Sequence, residues 1–295
     1  MILTATFGSA ATAGRSLADL RSLLADTARA GIDAALFVRS PGAGAPMLDG
    51  VALIAALAAV PGSIGLGAGV PVDYQEPFHL ARAFAAIDRL TRGRSAVVAD
   101  LAAGDDLAAA IGHTTPVGER DARRAELLDV TTRLWDSWED AALLVDRPAG
   151  LFTDPARIHR LNHDGAYFAV RGPLNAPRPL QGWPVIVVPV RDAAAARLAA
   201  RWGDVALAAT ETLAAEMRTQ ATAAGRVVRV LLDVAPGQID AAAMRDRHAS
   251  GRCDGFNLVL AEAPARLDID RPPVPDGTTL RTRLGLPRPL SQFAV

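Results

Sequence analysis

Arg39, Ser40, Asp73, Asp100, Arg191, Asp192, Thr210, Asp233 and Glu262 each stand at or just beyond the end of a short apolar run. Charges that recur at the same end of successive runs can converge on one polar or anionic ligand. The same positions open loops, which are solvated and often charged without further purpose. Arg39, Asp100, Arg191 and Asp192 are the four expected at a cofactor-binding mouth. His113 follows the fourth run and is the candidate acid–base group, since imidazole titrates nearest neutrality. His79 and His248 fit packing or surface roles better. His159 and His163 are four apart in a Gly/Asp context, with no carboxylate pattern to complete a metal site, so no metal is expected.

Several chemistries are excluded by what the 295 residues lack. Every basic side chain is arginine, which removes a Schiff-base lysine and the P-loop lysine. Cys253 is the single cysteine, so neither an intrachain disulfide nor a cysteine-ligated cluster can form. Neither His-Glu-x-x-His nor Gly-x-Ser-x-Gly occurs. A formal charge of −1, with no basic stretch among aromatics, argues against a nucleic-acid partner. No apolar run is long enough to span a membrane, and the N-terminus reads as a strand instead of a secretory signal, so the cytoplasm is expected.

The elements that must position these groups alternate. Eight β-like runs are Ile2–Phe7, Ala34–Arg39, Ile64–Val70, Ser95–Leu101, Pro184–Val190, Val205–Thr210, Val228–Val234 and Gly255–Ala261. Most are nearly continuous in Val, Ile, Leu or Ala, as parallel strands covered on both faces are. Helical patterns lie between them at Leu17–Ala30, Gly50–Ala59, Pro77–Leu90, Ala193–Trp202 and Thr212–Ala224. The expected fold is α/β, a single (β/α)8 TIM barrel over 1–295, with a doubly wound open sheet as the alternative. Such a barrel places its site at the C-terminal ends of the strands.

The rhythm breaks between strands four and five, where 119–183 hold a helix, Glu119–Trp138, and a long insertion rich in proline and glycine. Leu151, Phe152, Tyr167, Phe168 and Leu174 are expected to anchor it, with Tyr167–Val170 pairing in a small hairpin. Trp135, Trp138 and the leucines of the helix predict a subunit interface. The tail, 264–295, is expected to wrap the surface. Gly65, Gly67 and Gly69 fall inside a strand and not in a strand-to-helix turn, so they fail as a dinucleotide fingerprint and fit close packing in a barrel.

Several segments together resemble the luciferase-like flavin-dependent monooxygenases, in the branch of the nitrilotriacetate and dibenzothiophene-sulfone monooxygenases. They include Glu76-Pro77-Phe78-His79-Leu80-Ala81-Arg82, Leu134-Trp135-Asp136-Ser137-Trp138, Val170-Arg171-Gly172-Pro173-Leu174-Asn175, Asp254-Gly255-Phe256-Asn257 and Leu284-Gly285-Leu286-Pro287-Arg288-Pro289. The resemblance runs in order along most of the chain. It implies a barrel that uses reduced FMN from a separate flavin reductase, and oxygen, on a small-molecule substrate. It also suggests a homodimer or a pairing with a related chain.

The sequence departs from that family where FMN would sit. Val38-Arg39-Ser40 stands where the family reads Ala-Asp-Ser, and Val97-Val98-Ala99-Asp100-Leu101 where it reads Trp-Asn-Val-Val-Thr. Asp121 takes the place of a tyrosine, and Val188-Pro189-Val190-Arg191-Asp192 that of a small-residue phosphate loop. A family segment before the last strand is absent, leaving Ala235–Asp254. Proline lacks an N–H and valine adds bulk where a backbone should approach phosphate. These changes predict a weakened FMN site, with Arg191 turned towards Asp192. The alternative function is a non-catalytic partner subunit or small-molecule-binding barrel that has lost FMN.

Overall fold

The eight runs form eight parallel strands that close on themselves: β1 (Ile2–Phe7), β2 (Ala34–Phe37), β3 (Gly65–Pro71), β4 (Ser95–Asp100), β5 (Val185–Val190), β6 (Val205–Ala208), β7 (Arg229–Val234) and β8 (Gly255–Leu260). They follow one another around the barrel in sequence order, and β8 pairs with β1 from Ile2 opposite Gly255 to Phe7 opposite Leu260. This computed structural model describes residues 1–39, 48–60, 62–101, 107, 110, 112, 115–265, 267, 274–275 and 277–293. Ser40 and His113 lie outside the described residues.

Helices α1 (Leu17–Arg29), α2 (Gly50–Leu57), α3 (Pro77–Leu90), α4 (Arg120–Asp136), α5 (Ala193–Trp202), α6 (Glu211–Ala223) and α7 (Ala241–Ala249) cover the outside. Their starts are set locally. Ser16 and Asp19 form a capping box on α1, and Asp49, Asp192, Thr210 and Asp240 cap α2, α5, α6 and α7 through their side chains.

Strand parity divides the core in two. Leu3, Ala5 and Phe7, with Val97, Val188, Leu232 and Leu258, face outward into the helix layer. Ala34, Leu36, Ala96, Val98, Val185, Val187, Val205, Leu207 and Leu231 point inward as a separate cluster. The three glycines of β3 fit this interior: a Cβ on Gly65 would stand 2.6 Å from Leu280 Cδ1, and one on Gly67 2.5 Å from Leu36 Cδ2. The neighbours take the space that a side chain would need.

The tail does more than wrap the surface. Leu280, Leu284 and Leu286 are buried in the inward cluster and plug the end of the barrel where the strands begin. Arg281 holds the plug to Asp204 at 2.6 Å and Arg283 holds it to Asp33 at 2.6 Å. Those two aspartates, with Asp254, precede β6, β2 and β8. Each also accepts the backbone N–H of a residue in the preceding strand: Ile186, Leu3 and Val230.

The insertion is fastened by hydrogen bonds. Glu126 of α4 accepts from the backbone N–H groups of Tyr167 and Phe168 and lies 3.0 Å from His163 Nε2. Ala169–Val170 pairs with His163–Asp164, the expected small hairpin. Phe168 and Leu174 are buried anchors, but Leu151 and Phe152 are not. They sit on a second hairpin, Leu143–Asp146 with Leu151–Thr153, and are 52% and 66% exposed. The tryptophans of α4 also correct the interface expectation. Trp135 is buried and donates to the Ala81 carbonyl at 2.9 Å, while Trp138 donates to the Leu174 carbonyl at 2.7 Å. Both are engaged within the chain.

Candidate functional site

With the strand-start end plugged, the opposite end is where the barrel interior meets solvent. At or just past the C-terminal end of each strand the inward residue is accessible while the outward residue before or after it is buried. Thr6 is partly exposed and Phe7 buried; the same holds for Val38 beside Phe37 and Gly69 beside Val70. Asp100, Pro189, Ala209 and Asp233 continue the ring. Val259 is 42% exposed between the buried Leu258 and Leu260, although it lies within β8. Exposure that follows strand parity in this way describes a cup sunk into the barrel mouth, floored by Leu36, Val98, Val187, Leu207 and Leu231.

One side of the cup is polar. The hydroxyls of Thr4 and Thr6 both donate to Asn257 Oδ1, at 2.8 and 2.9 Å, and Asn257 Nδ2 donates to Asp233 Oδ1 at 2.8 Å. Arg191 Nη2 lies 2.6 Å from Asp233 Oδ2, and Nη1 donates to the Leu207 carbonyl at 2.9 Å. Burial pushes the Asp233 carboxyl up, against the pull of Arg191 and of the Asn257 amide. A carboxyl held up in a cleft is a common mark of a working site.

Across the mouth, Arg39 Nε is 3.5 Å from Asp100 Oδ2. Behind it Arg124 grips the buried Asp73 through two bonds of 2.6 and 2.7 Å. Arg15 pairs with Glu262 at the rim. Thus Arg39, Asp100 and Arg191, together with Asp233, do gather at one mouth. Asp192 does not join them in the same way, because its carboxylate caps α5 by accepting from Ala195 N–H at 2.8 Å. The expected turn of Arg191 towards Asp192 is corrected accordingly. Asp233, on the adjoining inward face, offers a less exposed carboxylate than the capping one.

Reasoning from sequence misses Thr4, Thr6 and Asn257 as site residues. The sequence offers only that Thr4 and Thr6, two apart in a strand, share a face, without saying which face that is. Two histidines are engaged elsewhere: His159 lies 2.8 Å from Glu139, and His248 Nδ1 lies 3.1 Å from the Cys253 carbonyl. Burial raises the Cys253 thiol, so it is no ready nucleophile. Among the described residues no three His, Cys, Asp or Glu side chains group as metal ligands, and no helix is long and apolar enough to cross a membrane.

The corner after β5 is where the sequence departs from the small-residue loop. A helix N-terminus attracts anions through its free N–H groups. At α5 the Asp192 carboxylate already occupies that place, Pro189 has no N–H to give, and Arg191 is committed to Asp233.

Eight parallel strands closed on themselves with helices outside make a TIM barrel, a fold whose sites lie at the strand C-termini. The chain belongs to the luciferase-like monooxygenase family, whose model matches residues 1–253. It is 37% identical to one of the subunits of pristinamycin IIA synthase from Streptomyces pristinaespiralis, over 100% of this chain and 98% of that one. It is 42% identical to nitrilotriacetate monooxygenase component A of Aminobacter aminovorans, over 57% of this chain and 38% of that one. The chain spans little more than a third of the length of several such relatives. EDTA monooxygenase of Chelativorans sp. BNC1 shares the fold, with a TM-score of 0.80 at 21% identity, covering 98% of each chain.

Proposed function

We propose that this protein is a component of a luciferase-like, flavin-dependent monooxygenase that acts on a small organic molecule held in the barrel-mouth cup. The observation that carries this reading is the ring of accessible inward residues at or just beyond the C-terminal ends of the eight strands, with Asp233 among them. Reduced FMN and oxygen are the co-reactants that the family implies, with the flavin supplied by a separate reductase. Two relatives are named as parts of larger systems, one as a component and one as a subunit, which supports a system of more than one chain.

A second reading is favoured by the β5 corner: the chain is a subunit without flavin that contributes fold and cup while a related chain holds the cofactor. Its support is the Asp192 cap and the Arg191–Asp233 pair, together with the end-to-end match to a relative named as a subunit. Titrating oxidised and reduced FMN into the purified chain separates the two. Quenching of flavin fluorescence at micromolar protein supports the first. Absence of quenching, with substrate oxygenation appearing only when a second luciferase-like chain is added, supports the second.

For self-association we infer a surface other than the one expected of α4. The hairpin at 143–153 exposes Leu144, Val145, Leu151 and Phe152, and its tip carries Asp146 beside Arg147. These side chains offer on the order of 400 Å² of apolar surface, half of what one partner gives a standard interface. Opposite charges side by side suit a two-fold contact in which each copy's acid meets the other's base. The occupant proposed is a second copy of this chain.

A further inference from the structure

Arg94 departs from the pattern of the other buried arginines. Arg178 lies 2.7 Å from Asp136, Arg281 2.6 Å from Asp204 and Arg123 3.8 Å from Glu76, so each faces a carboxylate. Arg94 is 7% exposed and has no carboxylate partner among the described residues. Its Nε donates to the Thr91 carbonyl at 2.7 Å, Nη1 to that of Ile64 at 2.7 Å and Nη2 to that of Ala58 at 3.3 Å. One N–H on each terminal nitrogen is left over. Arg92, exposed and likewise without a carboxylate partner among the described residues, is the charged group that bears on it. Burial first, and then the Arg92 charge, hold the Arg94 guanidinium below its ordinary value. Thr91 and Ala58 close the C-terminal ends of α3 and α2, and two helix ends together carry about one negative charge. Two full cations against them leave a surplus of about one positive charge.

The two arginines line a pocket of about 460 Å³ beside the plug, at the end of the barrel away from the cup. Ser63 and Thr278 line it as well. Ser63 Oγ accepts from Arg283 Nη1 at 3.0 Å, which leaves its own proton to donate. We propose that this pocket is a second ligand site, which binds a phosphate group between Arg92 and Arg94 with the hydroxyls of Ser63 and Thr278 as further donors. Donors on four side chains suit a group with three or four oxygens better than a carboxylate with two. An anion also meets the charge that the pocket leaves unmatched. Bare phosphate leaves much of the volume empty, and Val60 and Leu90 offer an apolar wall to the body of a phosphate ester. Bound there, the phosphate spans the turns before β3 and β4 and the start of the plug, whose Leu280 N–H already donates to the Gly93 carbonyl at 2.8 Å.

The site is remote from the cup, so its test depends on neither flavin nor turnover. Isothermal titration calorimetry on the full chain, in phosphate-free buffer, compares sodium phosphate, phenyl phosphate and sodium acetate at matched ionic strength. Phosphate is expected to bind with a Kd on the order of 1 mM or below, and acetate at least about tenfold more weakly. Tighter binding of phenyl phosphate assigns the site to a phosphate ester, and equal or weaker binding assigns it to free phosphate; either supports the site. Arg92→Asn suits the left-handed backbone there, at φ 56°, and should weaken phosphate roughly five- to fiftyfold, one charged hydrogen bond discounted for exposure. Arg191→Gln, at the mouth, should leave phosphate binding unchanged. The three-anion comparison on the unaltered chain stands even if a variant fails to fold. No phosphate binding below about 10 mM, acetate binding as tight as phosphate, undiminished binding in a folded Arg92→Asn protein, or loss in Arg191→Gln instead would each overturn the proposal.

Discussion

Arg178→Met tests how the insertion and tail are tied to the barrel. Asp136, at the end of α4, is fully buried, and Arg178 is 3% exposed. Arg178 donates to Asp136 Oδ1 from Nε at 3.0 Å and from Nη2 at 2.7 Å, and also reaches Asp140 and the Pro289 carbonyl. Trp183 Nε1 and the backbone N–H of Gln292 complete the shell of the carboxylate at 2.9 and 3.1 Å. Removing the arginine leaves two neutral donors around a buried charge, a loss of about 3–5 kcal/mol. At about 2–4 °C per kcal/mol for a chain of this size class, the melting temperature should fall by roughly 6–20 °C. Burial already raises the Asp136 carboxyl against the pull of Arg178, and loss of the cation raises it further. For a group raised on folding, its stabilising share is full below the unfolded value and lost as pH rises through the folded one. The deficit of the variant should therefore be largest in mildly alkaline urea titrations and shrink in mildly acidic ones. Asp136→Asn in the same chain should restore part of the loss, because no charge is left buried and the amide oxygen still accepts from Trp183 Nε1, while the amide NH2 cannot accept from the Gln292 N–H. A deficit under about 1 kcal/mol, the scale of an exposed pair, or a double variant no more stable than the single one, would refute the account.

Gly67→Ala should cost about 1–3 kcal/mol in urea unfolding, since its Cβ would stand 2.5 Å from Leu36 Cδ2 and 3.2 Å from Val98 Cγ2; a neutral effect would mean that the interior yields more than its packing implies. Asp233→Asn should remove a pH dependence of stability, because the raised carboxyl stabilises most below its unfolded value and least above its folded one. Identical stability-versus-pH curves for the two proteins would show that Asp233 titrates alike folded and unfolded. Phe152→Glu should shift the chain towards monomer in light scattering with its melting temperature nearly unchanged, because that ring is 66% exposed; an unchanged mass distribution would remove the hairpin at 143–153 as the contact.

The eight strands are legible because each is a continuous apolar run, and their order follows from the helical patterns between them. Disagreement is confined to the ends: Val38, Arg39, Ala209 and Thr210 continue the run in composition but lie beyond the ladder. Parity is not legible. In GFNLVL nothing says whether Asn257 faces helices or barrel until closure fixes which alternate residues meet β1. For the same reason Thr4 and Thr6 are invisible as partners, although their spacing of two puts both on one face. Trp135 misleads because a tryptophan fits an interface and a core equally well, and the Ala81 carbonyl that decides the matter is 54 residues away. The plug does not show because Leu280–Arg283 is too short to display a helical period. These misses share a cause and point to one organisation. The same inward positions are apolar near the plug and become Thr6, Asp100, Asp233 and Asn257 near the mouth. A barrel needs only its lower layers to hold together, so its upper layer can give up packing for hydrogen bonds. The polar residues that stand where packing would favour leucine are thus the ones with which this chain can recognise a ligand.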